Sequence, residues 1–163
     1  MDIRKLKSGT DVRGVASPIL GRKVTLTCDA AELIARAFCT WLARRTGKDT
    51  LKIAVGNDSR ITAGELVAAF EKGAAESGAE VFYTGLSSTP SMFMILQDKG
   101  RAYDGSVMVT ASHLPADRNG LKFFTPEGGL EGGDVDEILE IAAKGVFTEG
   151  KGGVHGDYCM DEY

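Results

Sequence analysis

The sequence predicts an α/β fold, a three-layer α/β/α sandwich built on a mixed, mostly parallel sheet. Three observations carry that expectation. Short segments rich in valine and aromatic residues alternate with longer stretches of helical periodicity, the pattern of a sheet with helices on both faces. One strand-like segment, Leu121–Thr125, follows another across a single polar loop, which adds an antiparallel or neighbouring strand. A length of 163 residues, with 43% hydrophobic and 26% charged side chains, suits one domain with a real core.

Each element follows in order. Residues 29–46 place Ala30, Leu33, Ile34, Ala37, Phe38, Trp41 and Leu42 on one helical stripe, with Arg36, Arg44 and Arg45 off it. Asp29 and Glu32 have capping-box spacing, and Gly47 ends the run. Leu51–Val55 reads as a strand broken by Gly56-Asn57-Asp58. Thr62 and Glu65 form a second capping-box pair, opening a helix that reaches about Ser77. Glu80–Thr84 is the next strand. Pro90 sits in the first turn of a third helix, from Thr89 to about Lys99. Gly105–Thr110 is valine-rich and is expected at the centre of the sheet, and Asp134–Lys144 makes a last short helix. Residues 1–150 therefore read as the domain. Residues 151–163 are glycine-rich and polar without periodicity, a tail or the start of a linker.

Composition removes several classes of function. A net charge of −4 argues against a nucleic-acid partner. No stretch is long and apolar enough to span a membrane, and the basic N-terminal residues have no apolar run behind them. Cys28, Cys39 and Cys159 are odd in number and widely spaced, so they form neither a disulfide framework nor a metal-ligand pattern. The expectation is a cytoplasmic protein.

In open α/β sheets, ligands collect at the carboxyl ends of the strands. Three loops leave predicted strands there: Gly56–Ile61, Gly85–Ser88 and Ala111–Gly120. The third begins a stretch of eleven residues that gathers Ser112, His113, Asp117, Arg118, Asn119 and Lys122, with Pro115 and Gly120 shaping the turn. On composition alone these residues suit an ordinary polar turn as well as a site. A Ser–His hydrolase does not fit. Ser112 and His113 are adjacent, so their side chains diverge; there is no GxSxG elbow, and His155 lies in the tail.

The loop Thr110-Ala111-Ser112-His113-Leu114-Pro115, followed by Asn119-Gly120-Leu121-Lys122, resembles the phosphoserine loop of the phosphohexomutases, T-A-S-H-N-P…N-G-x-K. These are the phosphoglucomutases and phosphomannomutases. Ser8-Gly9-Thr10-Asp11-Val12-Arg13-Gly14 is similar to the family's G-T-x-x-R-G turn. Asn57-Asp58-Ser59-Arg60 resembles its second loop, and Ser88-Thr89-Pro90 its third. Four features in the family's order make the resemblance specific. Leu114 departs from the usual asparagine, and Thr10 stands where some members carry a sugar-contacting tyrosine.

The resemblance implies domain I of such an enzyme, moving phosphate between C1 and C6 of a hexose through a bisphosphorylated sugar. Ser112 would carry the phosphoryl group, at about −1.5 to −2 charges near neutral pH. Lys122 and Arg13 are the candidate cations beside it, Lys122 also as a proton carrier and Arg13 as a planar fork. His113 is a candidate donor to phosphate or sugar. Arg60 is expected to brace its own loop through a nearby carboxylate. The family's Mg²⁺ would touch Ser112 only through its phosphate, because the aspartate loop D-G-D-x-D-R is absent, as are the sugar and phosphate loops. The implied partners are a phosphorylated hexose and the remaining domains of the same polypeptide, without nucleic acid or membrane. An isolated domain would be inactive, and its uncovered apolar face would favour self-association. The alternatives are a stand-alone phosphosugar-binding module, or a domain of a phosphoglucosamine mutase.

Overall fold

The computed structural model describes residues 2–158. The chain enters a sheet through β1 (Lys7–Ser8) and β2 (Asp11–Val15), then forms α1 (Cys28–Thr46), β3 (Leu51–Asn57), α2 (Ala63–Glu76) and β4 (Ala79–Leu86). It continues through α3 (Thr89–Met94), β5 (Gly105–Val109), β6 (Arg118–Thr125), β7 (Gly128–Gly129), α4 (Gly132–Lys144) and β8 (Val154–Gly156). The strand order is β1-β2-β6-β5-β3-β4-β8, with β7 paired to β6. Pairing is parallel from β8 to β5 and antiparallel from β5 to β1, so the sheet is mixed.

Strand alternation divides the core. Val12, Ile53, Val55, Val107, Val109, Leu121 and Phe123 share one cluster with α1, α2 and α4. Their neighbours Ala54, Met108 and Phe124 belong to a smaller cluster with α3 and the 3-10 turn that extends it, Ile95–Gln97. Helices thus cover both faces, but unequally. The α3 side bears less apolar cover, and there the sheet carries the partly exposed side chains of Arg13 and Lys122. Burial in the larger cluster pushes the Cys39 thiol up to about 12. No helix among the described residues is long and apolar enough to cross a membrane.

The helix termini correct the sequence reading. Thr27, not Asp29, caps α1, its Oγ1 accepting from the Ala30 N–H at 3.0 Å. The Thr62 hydroxyl does not cap α2 but accepts from Asn119 Nδ2 at 2.9 Å. A tertiary partner for the hydroxyl displaces the local one. The G-T-x-x-R-G segment is more than a turn, because Asp11–Val15 forms a strand between β1 and β6. With Asp, Arg and Gly among five residues, it shows no period-2 pattern to read.

The tail holds structure as well. β8 runs parallel to β4, pairing Val81 with Val154 and Phe82 with His155. All three of its residues are exposed, so main-chain bonding rather than burial makes the strand, and hydrophobic patterning gives no signal. Gly152 permits the approach, since a Cβ there would lie 1.7 Å from the Ala79 carbonyl oxygen. The Glu80 carboxylate accepts from Gly153 N–H at 2.7 Å and lies 3.1 Å from His155 Nε2. The His155 bond, then the Gly153 bond, hold its pKa below the usual carboxylate range. Cys159 and the rest of the sequence-expected crossing to a second domain, residues 159–163, lie outside the described residues.

Candidate active site

β3 leads through α2 to β4 on one side, while the chain returns from β4 to β5 on the other side of β3. The carboxyl ends of β3 and β5 therefore flank a topological switch point, where α/β sheets open a crevice. All three loops anticipated at this edge meet there. The Asp58 N–H donates to the Val109 carbonyl at 3.2 Å, and the Ser87 N–H donates to the Asn57 carbonyl at 2.8 Å. A pocket at the crossing is lined by Asp58, Arg60, Ile61, Ser112 and Leu114.

Ser112 sits exposed in this loop with φ at +55°, in the left-handed region that L-residues rarely enter outside constrained sites. Its N–H donates to Thr110 Oγ1 at 3.0 Å, and the Thr110 hydroxyl donates to Asp58 Oδ2 at 2.5 Å. Its carbonyl accepts from Arg60 Nη2 at 2.6 Å. The same guanidinium reaches the carbonyls of Leu114, Pro115 and Arg118 at 2.8, 2.8 and 3.0 Å. This extends the expectation for Arg60. It braces the serine loop as well as its own, where it pairs with Asp58 at 3.8 Å. Planar geometry with five donors explains why an arginine suits a turn that aims several carbonyls at one side chain.

Lys122 and Arg13 are brought together on a residue that sequence reasoning left without a role. Val12 pairs with Leu121, so continuing the register by one residue sets Asp11 opposite Lys122. The buried Asp11 carboxylate accepts from Lys122 Nζ and from Arg13 Nη2, each at 3.1 Å. Arg13 Nε is buried and has no hydrogen-bond partner among the described residues. Arg13 lies opposite Gly120, whose N–H is bonded by the Asn119 side chain at 2.9 Å. A Cβ at Gly120 would stand 2.4 Å from the Val12 carbonyl oxygen and 2.9 Å from that of Thr110, both backbone. Gly120→Ala is expected to cost about 1–3 kcal/mol by prying β2 and β5 from β6. Chemical denaturation measures the loss, and an unchanged midpoint would refute it.

His113 is exposed on the loop, and no hydrogen bond among the described residues joins Ser112 to His113, Lys122 or Arg13. Asp117 was only a polar loop residue in the sequence. It is fully buried and held by Arg22, whose Nε donates to Asp117 Oδ2 at 2.7 Å. Arg22 lies in a segment with no periodicity, and nothing in its neighbours announces the pairing.

Among the described residues no group of three or more His, Cys, Asp or Glu side chains could hold a metal ion. The carboxylate near Ser112, Asp58, already faces Thr110 and Arg60. The described residues alone therefore do not fit the family's Mg²⁺.

Known proteins share the family and the fold. Residues 4–149 match the family model described as phosphoglucomutase/phosphomannomutase, alpha/beta/alpha domain I. A phosphoglucomutase of Neisseria meningitidis is 35% identical over 146 residues, covering 89% of this chain and 29% of that protein. A phosphoglucosamine mutase of Caldicellulosiruptor saccharolyticus is 35% identical over 133 residues, 81% of this chain and 27% of that protein. The chain thus spans less than a third of the length of these relatives. A phosphoglucomutase/phosphomannomutase family protein of Burkholderia thailandensis superposes with a TM-score of 0.84 at 28% identity, over 100% of this chain and 35% of that one. A sheet with this order, a strained serine at its switch point and a matching family model over residues 4–149 lead to one assignment: the chain belongs to the phosphoglucomutase/phosphomannomutase family, as its α/β/α domain I.

Proposed function

We propose that this domain carries the phosphoserine of a phosphohexomutase, with Ser112 giving and receiving the phosphoryl group as a hexose 1-phosphate and a hexose 6-phosphate interconvert. The observation that carries the reading is Ser112 itself: exposed, in a left-handed backbone, with its N–H and its carbonyl both tied down. Phosphoryl transfer depends mostly on positioning and charge neutralisation, and a fixed backbone supplies the first. In one half-reaction a sugar hydroxyl oxygen bonds to phosphorus as the bond from phosphorus to Ser112 Oγ breaks, giving the bisphosphorylated sugar. In the other, Ser112 Oγ takes the second phosphoryl group back.

Arg13 and Lys122 supply local positive charge. The partly exposed guanidinium of Arg13 is a donor suited to a phosphate oxygen. In this reading Lys122 exchanges a proton with the sugar hydroxyl, and His113 donates to phosphate or sugar. The named relatives divide between phosphoglucomutase and phosphoglucosamine mutase, so the proposal specifies a hexose monophosphate as a class. Sugar selection and metal ligands belong to the remaining domains, and the isolated chain has no turnover. Incubating the full-length enzyme with a radiolabelled hexose 1,6-bisphosphate, followed by peptide mapping, tests the reading. Label on the peptide containing Ser112 is expected; label confined to another residue would overturn it.

A further inference from the structure

We infer that Arg60 is a positioning residue for phosphoryl transfer, holding Ser112 in its left-handed conformation by binding four carbonyls of the loop. The inference rests on the phosphoserine reading and extends it to a residue that touches neither phosphate nor sugar. Its bonds to the carbonyls of Ser112, Leu114, Pro115 and Arg118 reach across the whole turn. The side chain is only 12% exposed, and the bonds to Leu114 and Arg118 are partly buried while those to Ser112 and Pro115 lie at the surface. Asp58 completes the clamp from the opposite side of Ser112, since it fixes the Thr110 hydroxyl that accepts the Ser112 N–H. Both peptide groups flanking Ser112 Cα are therefore anchored to one loop, Asp58–Arg60, at the end of β3.

A non-glycine residue stays at φ +55° only where its surroundings over-determine it. Without Arg60 each of the four carbonyls loses a donor, though that of Pro115 still accepts from the Arg118 N–H at 3.0 Å, and Ser112 relaxes toward ordinary negative φ. That rotation re-aims Oγ. Lysine is no substitute, because one ammonium on a flexible stem cannot span four acceptors in a fixed fork.

The test uses two readouts. In the full-length enzyme, Arg60→Ala is expected to slow single-turnover transfer of labelled phosphate to Ser112 by roughly 10²-fold, the scale of a misplaced reacting group, while KM for the hexose phosphate moves less than threefold. Arg60→Lys is expected to recover little, and millimolar guanidinium to recover part of the Arg60→Ala rate. In the 163-residue chain, hydrogen exchange of residues 111–118 is expected to rise in both variants while β3 and β5 stay protected. Transfer within threefold of the parent, or loop exchange unchanged in Arg60→Lys, would overturn the inference. So would exchange rising equally across β3 and β5, which would make Arg60 a general stabiliser. If Arg60→Ala does not fold, Arg60→Lys, which keeps charge and stem, decides by the same two measurements. Failure of the parent enzyme to label Ser112 would instead remove the phosphoserine reading, while the exchange readout would still judge the clamp.

Discussion

Ser112→Ala in the full-length enzyme is expected to lower mutase turnover by on the order of 10⁴-fold or more, as loss of a covalent carrier does elsewhere. The Thr110 hydroxyl does not replace it. Thr110 is two residues away, but its oxygen already donates to Asp58 and accepts from the Ser112 N–H. Alanine tolerates the left-handed backbone no worse than serine, so the fold is expected to persist. Steady-state kinetics beside a thermal melt separate the two effects. A variant that keeps a tenth of the parent turnover would show that phosphate travels by another route.

Phe38→Ala is the substitution expected to cost the fold most, about 3–5 kcal/mol of unfolding free energy. Phe38 is fully buried on α1, its ring 4.8 Å from that of Phe123 on β6. It also fills the space that a Cβ on Gly105 would enter, 3.1 Å away, so helix and sheet meet around it. Against a typical total of 5–15 kcal/mol, such a cavity removes a large share. A fall in Tm on the order of 10 °C follows for a chain of this size. Urea unfolding with an unchanged slope gives the free energy directly, and a loss below 1 kcal/mol would mean that the cavity closes.

What the sequence revealed followed what it could encode locally. α1 was legible because its stripe repeats at helical spacing through Phe38, Trp41 and Leu42, and β5 because valines mark a buried strand. The serine loop was legible through its motif, and its meeting with the Asn57–Arg60 loop followed from both lying at strand ends. What escaped were relations made by distant backbone. Arg60 binds carbonyls, which every residue possesses, so no side-chain pattern announces the contact. Asp11 joins Lys122 across 111 residues of chain through a strand too polar to show a period. Arg22 and Asp117 are 95 residues apart, and only the closed sheet brings them together.

β8 bears on how the protein keeps to itself. β4 would otherwise be an outer strand with a row of unsatisfied amide and carbonyl groups, a template for another molecule's strand. A segment of three exposed residues, seated by Gly152 and held by Glu80, occupies that row instead. A version of the chain ending at Glu149, where the family match stops, leaves the row open. It is expected to show growing light scatter in the folded state at concentrations where the longer chain stays clear. The few residues beyond the matched domain thus leave a short three-residue strand, rather than the long β4, at the outer edge of the sheet.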